Sequence, residues 1–260
     1  MGIYREPLYY DIAFSWDLES EVSFLKSVFE EFVPFPVARV LEPACGTGRF
    51  LRALPKHGFH VTGYDNSPEM VEFTRASVER EGLASQAQAL EADMRDARFD
   101  PPFDASLNSI NSFCYLVEDD DVGTHLACMA DSLRPGGVYV LHFSMARASK
   151  EVDEGSSWEM ERDGVSVVTH WSIESEDAAS GVGTHLSRLE VEAHGERRTI
   201  EDRHRLRAWT DEAFRETIRS TGTLELVGLF GDGYDYERMP VETRVVGEMG
   251  NHYYILQRRA

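Results

Sequence analysis

Up to about residue 145 the chain alternates short apolar runs with longer segments whose apolar residues recur at helical spacing. In residues 21–33, for example, Val22, Leu25 and Phe29 fall on one helical stripe. The apolar runs that predict buried strands are residues 38–43, 60–65, 87–94, 103–110 and 138–144. Strands separated by helices in this way predict a parallel, doubly wound sheet.

Two of the helices have clear boundary signals. Ser67 is a good N-cap and Pro68 suits the first helical position, so a helix is expected over residues 69–81. Three acidic residues begin the segment 119–133, where the helix dipole favours negative charge, and the sequence RPGG ends it.

Near residue 155 the pattern changes to alternation. Val165, Val167, Trp171 and Ile173 fall on one side of a strand, and turn-like segments separate this strand from two others. The three strands of this antiparallel meander are predicted at residues 165–173, 185–193 and 199–209. A helix with Thr210 as N-cap and two final strands, residues 224–230 and 252–258, complete the chain.

The predicted fold class is therefore α/β. A doubly wound, mostly parallel seven-stranded sheet carries an antiparallel edge strand, and a three-stranded antiparallel β insertion interrupts it. The expected division is an N-terminal helical segment (1–36), a core (37–154 and 209–260) and the insertion (155–208).

Composition places the chain among ordinary globular proteins. Of its 260 residues 42% are apolar and 11% aromatic. No run approaches the ~18 apolar residues of a membrane span, and the N-terminus lacks the apolar stretch of a signal peptide. Three widely spaced cysteines suit a reducing compartment, so a cytoplasmic location without disulfides or a metal site is expected.

The formal net charge of −20 is the strongest compositional signal. Such a field repels phosphate backbones and anionic lipids, so neither nucleic acid nor a membrane surface is expected as a partner. The charge mildly favours cationic or neutral ligands. A role in solubility alone remains an equally good interpretation.

Residues 41–50, LEPACGTGRF, form the most informative segment, because a strand that ends in Gly-x-Gly and opens a helix lets the backbone approach a ligand closely. A dinucleotide site would have a third glycine where this chain has Leu51, and the Gly-Lys-Ser/Thr of a phosphate-binding loop is absent. Instead Glu42 ends the strand. The turn therefore suits a ligand that carries an amine or another positive charge.

Two more carboxylates end the neighbouring predicted strands. Asp65 is placed to accept both hydroxyls of a ribose, and Asp93 to accept from the exocyclic amine of an adenine. Three acids around a glycine turn describe a nucleoside that has a positive appendage and no phosphate. S-adenosylmethionine is such a ligand.

The pattern resembles the Rossmann-like (class I) S-adenosylmethionine-dependent methyltransferases. VLEPACGTGRF is similar to the family's first motif, VTGYDNSPEMV to its acidic ribose loop, EADMRD to its adenine loop, and LRPGGVYVL to the segment leading into the fifth strand. The resemblance covers about residues 9–145 and 210–258. The insertion resembles the β meander of natural-product and aminosugar N-methyltransferases.

The resemblance implies roles for individual residues. The N-terminal segment would act as a lid on the methionine end of the cofactor, which leaves the reaction as S-adenosylhomocysteine. The implied cofactor-binding residues are Tyr10, Glu42, Ala44, Cys45, Gly46, Gly48, Asp65, Asn66, Met70, Asp93, Met94, Asn108 and Ser109. Structural alternatives stay open: capping of the following helix is the alternative for Asp65, and turn capping for Asp93. Cys45 is expected to be a small buried residue rather than a nucleophile.

The acceptor of the methyl group is expected at the carboxyl ends of the strands, bounded by the N-terminal segment, the loop after the fourth strand and the insertion. The candidate acceptor-binding residues are Tyr9, Asn111, Phe113, Trp158, Trp171, Arg205 and Tyr234, and the candidate catalytic residues are His142 and Tyr115. Core packing is the alternative for Trp171, solvated ion pairing for Arg205, packing of the N-terminus for Tyr9 and Tyr10, and a backbone-satisfied imidazole for His142.

The predicted function is methyl transfer to a small molecule, with an amine nitrogen favoured over the oxygen of a phenol or carboxylate. A non-catalytic S-adenosylmethionine-binding protein is the alternative of another class. A nucleic-acid methyltransferase is disfavoured, because the amino-methylating DNA enzymes have Pro-Pro-aromatic where this chain reads NSINSF. The insertion is expected to serve as an acceptor cap or as a contact in a homodimer.

Overall fold

The computed structural model describes residues 2–146, 155–233 and 235–259. Its helices are α1 (Pro7–Ala13), α2 (Glu19–Phe32), α3 (Arg49–Ala53), α4 (Pro68–Arg80), α5 (Asp119–Ser132) and α6 (Asp211–Thr221). Its strands are β1 (Arg39–Pro43), β2 (His60–Asp65), β3 (Ala87–Glu91), β4 (Phe103–Asn108), β5 (Leu133–Ser144), β6 (Ser156–Arg162), β7 (Val165–Glu176), β8 (Val182–Ala193), β9 (Glu196–Arg207), β10 (Leu224–Gly231), β11 (Arg238–Met239) and β12 (Asn251–Arg258). Among these elements no helix has both the length and the apolar character needed to cross a bilayer.

The central sheet confirms the predicted α/β class. Its strand order is β11-β10-β12-β5-β4-β1-β2-β3. Strands β5, β4, β1, β2 and β3 run parallel to one another. Strand β12 is antiparallel to both β5 and β10. The chain reverses its direction of strand addition between β1 and β4, and ligands of doubly wound sheets bind at that switch point.

Two details of the sheet differ from the prediction. The antiparallel strand β12 is not at the edge, because five consecutive residues, His252–Leu256, are buried and require sheet partners on both sides. The two-residue strand β11 pairs with β10 and raises the number of strands to eight.

Helices cover both faces of this sheet. On one face, residues of α2, α3 and α4 pack against alternate strand residues that include Val40, Ala105 and Val138. On the other face, α5 and α6 pack against residues that include Leu41, Tyr139 and Tyr254. The two apolar layers hold β1 and β4 rigidly between them, so the turns that leave these strands start from fixed points.

The insertion is a four-stranded antiparallel sheet, β6-β7-β8-β9, rather than the predicted three-stranded one. The missed strand, β6, has no fully buried side chain, since Glu159 and Glu161 alternate with the half-buried Trp158 and Met160. Its continuous pairing with β7 makes it a strand, and a hydrophobic pattern does not reveal such pairing.

The N-terminal segment packs against the insertion and forms a third apolar cluster. Ile3 and Ile12 contribute from the N-terminus, and Val167, Leu189 and Ile200 from the sheet. This cluster joins residues 3–14 to the insertion.

Phe113, a predicted acceptor residue, lies in the core. Its side chain is fully buried, and its ring centroid lies 5.5 Å from that of Trp209 and 5.6 Å from that of Phe143. The residue belongs to a short 3-10 turn, Ser112–Tyr115, whose buried side faces the cluster beneath α5 and α6. The expectation of acceptor contact is therefore wrong for Phe113.

We expect Phe113→Ala to lower the free energy of unfolding by about 3–5 kcal/mol, because it removes a buried ring and leaves a cavity. Phe113→Leu retains most of the apolar volume and should cost less. Urea denaturation of both variants measures the difference. A loss below about 1 kcal/mol for the alanine variant would contradict the packing described here.

Candidate functional site

The glycine turn that follows β1 has a strained backbone. Ala44, Gly46 and Gly48 all have positive φ values, of 52°, 53° and 73°. A Cβ on Gly48 would lie 2.4 Å from Cγ2 of Thr74, so no larger residue fits there. The backbone of this turn thus forms a shallow cradle between β1 and α3, and a non-glycine residue with positive φ is typical of functional turns.

Asp65, at the end of β2, connects this turn to the next loop. Its Oδ2 accepts a hydrogen bond of 2.9 Å from the Gly46 N–H, and its Oδ1 accepts one of 2.9 Å from the Ser67 N–H. Burial raises the pKa of the carboxyl, and these backbone donors oppose that rise. Ser67, whose hydroxyl accepts from the Met70 N–H, caps α4, so Asp65 supports the N-cap residue rather than capping the helix itself. Each of its carboxylate oxygens keeps a lone pair for another donor.

Glu42 and Asn108 present acceptor oxygens that have no partner within the part of the chain that the structure describes. Glu42 is 3% exposed and its Oε2 is unpaired. Asn108 donates to the Pro43 carbonyl over 3.2 Å through Nδ2, while its buried Oδ1 is unpaired. Burial raises the pKa of Glu42 well above its usual value, and the nearby Arg49 opposes this rise. A buried acceptor without a donor is costly, so these atoms are suited to a ligand that donates hydrogen bonds or carries positive charge.

His125, in helix α5, holds the loop after β3 through a hydrogen bond to the backbone of Met94. Because the Met94 carbonyl can only accept, Nδ1 of His125 carries the proton of that 2.6 Å bond, and Nε2 accepts from the Tyr139 hydroxyl over 2.9 Å. Above it, Asp93 pairs with Arg95, with 2.6 Å between Oδ2 and Nη2. The Arg95 hydrogen bond lowers the pKa of Asp93. Asp93 also accepts from the Arg95 N–H, as the turn-capping alternative proposes.

The loop after β4 is also strained. Ile110 and Asn111 have φ values of 52° and 59°, and such values are unusual for a β-branched residue. Oδ1 of Asn111 accepts from the Ser144 N–H over 2.9 Å, so this side chain holds the loop against β5. Ser109 precedes the strained pair and accepts from the Ser112 hydroxyl through its carbonyl. The strained residues therefore lie at the switch point of the sheet, between β1 and β4.

Helix α1 and the residues after it cover the glycine turn. The Tyr10 ring lies 3.7 Å from the position that a Cβ on Gly46 would take, and it stacks on Phe14 with centroids 4.4 Å apart. Burial raises the pKa of Tyr10. Arg49, which the sequence analysis did not single out, donates to the Trp16 carbonyl over 3.2 Å and adds positive charge beside Glu42.

An aromatic cluster forms where the N-terminus, the loop after β4 and the insertion meet. The hydroxyls of Tyr4 and Tyr115 are 2.5 Å apart, and the His204 ring lies 5.5 Å from that of Tyr4 and 5.8 Å from that of Tyr115. Trp171 stacks on His204 at 5.1 Å and 8°. Burial lowers the pKa of His204. Tyr4 and His204 were missed, because nothing in their local sequence indicates that the fold brings them together.

His142 lies at the end of β5 with a carboxylate beside it. Its Nε2 is 3.5 Å from Oδ2 of Asp232, a distance that is long for a hydrogen bond. The imidazole stacks on Tyr253 with centroids 4.2 Å apart. The described part of the chain offers it no backbone hydrogen-bond partner, so the alternative of a backbone-satisfied imidazole does not hold.

Several predicted acceptor residues lie elsewhere. Trp158 donates to the Ala13 carbonyl over 2.7 Å and thereby anchors the end of α1. The side chain of Arg205 is 66% exposed, 3.8 Å from Glu118, and alternates with the buried His204, which supports the solvated ion-pair alternative. Tyr9 is half-buried beneath Arg198. Tyr234 lies outside the described residues.

The remaining predicted residues differ in how far they are buried. Cys45 is a buried free thiol whose pKa is raised by burial, which agrees with a structural role. Asn66 is exposed at the ribose loop, and Met70 is fully buried one turn into α4. Trp171 is partly buried rather than a simple core residue, while Ile173 on the same side of β7 is 37% exposed.

Comparison with known proteins agrees with this site. Residues 40–137 match the family model described as "Methyltransferase domain". A putative methyltransferase, YqeM, of Bacillus subtilis (strain 168) is 30% identical over 131 residues, 50% of this chain and 52% of that protein. The dTDP-3-amino-3,4,6-trideoxy-alpha-D-glucopyranose N,N-dimethyltransferase of Streptomyces venezuelae is 29% identical over 48% of this chain and 50% of that protein. The chain thus spans about half the length of the curated relatives it matches.

The similarity to solved structures extends over the insertion. An S-adenosylmethionine-dependent methyltransferase from Clostridium acetobutylicum superimposes with a TM-score of 0.76 at 18% identity, over 96% of both chains. The sugar N-methyltransferase KedS8 from Streptoalloteichus gives a TM-score of 0.74 at 21% identity, over 97% of this chain and 92% of that chain. Residues 40–137 are thus similar to a methyltransferase domain, and the fold is similar to that of these solved methyltransferases.

The residues at the strand ends fit S-adenosylmethionine, the cofactor of such methyltransferases. The unpaired Glu42 Oε2 is suited to an ammonium group, and Asp65 keeps free lone pairs beside the turn for hydroxyl donors. At Gly46, which has a positive φ, the Tyr10 ring is the one described neighbour within 4 Å of the position that a Cβ would take, so the backbone is accessible on that side.

The buried His125 makes stability depend on pH. Burial lowers its pKa to about 4 in the folded protein, against ~6.5 in an unfolded chain. Its contribution is therefore fully present above pH ~6.5 and is lost as the pH falls towards 4, at up to about 1.4 kcal/mol per pH unit. Unfolding in urea at several pH values should show a shallower dependence for His125→Gln. The exposed His57→Gln is the control, and parallel curves for wild type and His125→Gln would contradict the assignment.

Proposed function

We propose that the protein transfers a methyl group from S-adenosylmethionine to an amine nitrogen of a small molecule. The observation that carries the proposal is the pair of unpaired buried acceptor oxygens, on Glu42 and Asn108, beside the strained glycine turn. The proposal is supported by the relatives, which include an aminosugar N,N-dimethyltransferase and a sugar N-methyltransferase.

Each part of the cofactor has a candidate partner. The backbone of Ala44, Gly46 and Gly48 would pass the methionine moiety, with Glu42 at its amine and Tyr10 covering it. Asp65 and Asn66 would hold the ribose. Asp93 and Met94 would hold the adenine, and Ser109 would face the sulfonium. When bound, the cofactor supplies a methyl group already activated for displacement.

The protein then has to align the acceptor and exclude water. The acceptor nitrogen must reach the site neutral, since its lone pair forms the new N–C bond while the S–C bond breaks. The product amine afterwards loses its extra proton. A side chain that takes this proton accelerates the cycle if it lies within hydrogen-bonding distance.

We assign that proton to His142, assisted by Asp232. Histidine is the side chain that most often accepts a proton in enzymes, and Oδ2 of Asp232 lies 3.5 Å from Nε2 of His142. Tyr115 has a different role in this scheme. Burial raises its pKa, so the hydroxyl stays protonated and orients the acceptor by hydrogen bonding.

The acceptor would lie against the aromatic cluster of Tyr4, Tyr115, Trp171 and His204. Aromatic faces hold both the apolar body of an amine and its positive charge, and the net charge of −20 favours cations at the protein surface. In this scheme residues 1–36 form the lid on the cofactor, residues 37–154 and 209–260 bind it, and residues 155–208 cap the acceptor.

Substitution of Asp65 tests the cofactor assignment. Asp65→Ala should weaken binding of S-adenosylhomocysteine by about 1–3 kcal/mol, because it removes a charged hydrogen-bond acceptor. Isothermal titration calorimetry gives the affinity. Asp96→Ala, which removes an exposed carboxylate from the adenine loop, is the matched control and should bind normally. Unchanged affinity in a folded Asp65→Ala variant would exclude the ribose role.

Product analysis tests the acceptor chemistry. Incubation of the protein and labelled cofactor with small amines and phenols should give N-methyl products in mass spectrometry. His142→Ala should lower kcat by about 10²–10⁴, the range usual for loss of a general base. His170→Ala, which changes a half-exposed histidine of the insertion, should keep normal turnover.

Two outcomes would contradict this scheme. A methyl group found on oxygen would reject the amine assignment and favour the phenol or carboxylate alternative. A decrease in kcat of less than about tenfold for His142→Ala would show that His142 is not the base.

A further inference from the structure

A buried carboxylate in the lid helix connects three parts of the molecule. Asp11, in α1, is 2% exposed. Its Oδ1 lies 2.5 Å from Nη2 of Arg52 in α3, and its Oδ2 lies 2.8 Å from Nη1 of Arg162 at the end of β6. These three residues are called the Asp11 triad below. Each oxygen of one carboxylate thus pairs with an arginine from a different part of the fold.

Arg52 extends the connection into the glycine turn. Its Nε donates to the Gly48 carbonyl over 3.3 Å, and its Nη1 donates to Oε1 of Glu81, also over 3.3 Å. An unbroken series of polar contacts therefore runs from Arg162 in the insertion through Asp11 in the lid to the backbone of the turn. Glu81 supplies a second negative charge beside Arg52 and also pairs with Lys56 over 3.4 Å.

A second set of contacts, made through aromatic side chains, fixes helix α1. Trp158, on the same strand as Arg162, donates to the Ala13 carbonyl and lies 5.5 Å from the Phe14 ring. Phe14 stacks on Tyr10, which covers Gly46. The position of Tyr10 over the turn thus depends on the insertion at two points.

We propose that Asp11 is a positioning residue that couples the insertion to cofactor binding. The proposal rests on the function proposed above. Removal of Asp11 takes away the carboxylate that pairs with Arg162, and removal of Arg162 takes away the ion pair of one oxygen of the buried Asp11. In either case the lid helix loses part of its preference for the closed position. A ligand that needs the closed lid binds with an apparent Kd equal to the intrinsic Kd divided by the closed fraction. A change in the insertion, which caps the methyl acceptor in the proposed scheme, therefore alters the affinity for the cofactor, which is the methyl donor.

Arg162→Met is the most informative variant, because Arg162 belongs to the insertion and its ion pair is with the lid helix, not the glycine turn. If the closed fraction falls to about one tenth, the Kd for S-adenosylhomocysteine in calorimetry rises about tenfold. Asp11→Asn should behave in the same way. Arg162→Lys keeps the charge and should recover most of the affinity. The kcat at saturating cofactor should change much less than the KM for the cofactor.

Arg198→Met is the matched control. Arg198 also joins the insertion to the N-terminal segment, through Glu6, but this pair is more exposed: the side chains of Arg198 and Glu6 are 45% and 18% exposed, against 34% and 2% for Arg162 and Asp11. Exposed pairs contribute little, so the Kd should stay within about twofold of wild type. The proposal is overturned if Arg162→Met, with its free energy of unfolding intact, also stays within about twofold.

Amide hydrogen exchange of residues 7–13 separates this proposal from the proposed function. If wild-type protein does not bind the cofactor or its product, the donor assignment fails, while the role of the triad is still measurable. Faster exchange of α1 in Asp11→Asn and Arg162→Met, but not in Arg198→Met, supports the positioning role. Equal exchange in all four proteins overturns it.

Discussion

Val40 of β1 lies beside Val61 of β2 on one side and beside Ala105 of β4 on the other, all in parallel register. This register brings the carboxyl ends of the strands to one edge of the sheet, where the chain leaves each strand through a different loop. Glu42, Asp65 and Asn108 lie there because their strands end together. The site is a consequence of this alignment, and neither the lid nor the insertion would have a surface to cover without it.

The buried carboxylates at the two ends of the sheet differ in how fully their oxygens are hydrogen-bonded. At the amino end of β4, the Asp104 carboxylate accepts from the backbone of Ala38 and Arg39 and from the Arg134 side chain, and although burial opposes this, its pKa is lowered. At the carboxyl end, Glu42 is buried with one oxygen unpaired and a raised pKa. Both oxygens of Asp104 have hydrogen-bond donors within the protein, which is typical of a structural carboxylate. Oε2 of Glu42 can still accept a hydrogen bond from another donor.

The insertion and the N-terminal segment form one further unit on top of the sheet. Ile3 and Ile12 share an apolar cluster with β7 and β8, Trp158 holds the end of α1, and Asp11 pairs with both α3 and β6. The insertion therefore fixes the position of α1, although the contacting residues lie more than 100 positions apart in the chain.

The sequence by itself determined the α/β class, the glycine turn and the three strand-end carboxylates, because hydrophobic periodicity and turn chemistry are local properties. It was insufficient for β6, whose side chains are never fully buried, and for the internal position of β12, which depends on which strands pair. Only the tertiary structure placed Phe113 in the core, joined Tyr4 and Tyr115 to His204, and set Asp232 beside His142. The paired residues lie between 89 positions apart, for Tyr115 and His204, and 200 positions apart, for Tyr4 and His204. No local pattern reports which distant side chains the packing of the core and the sheets brings into contact.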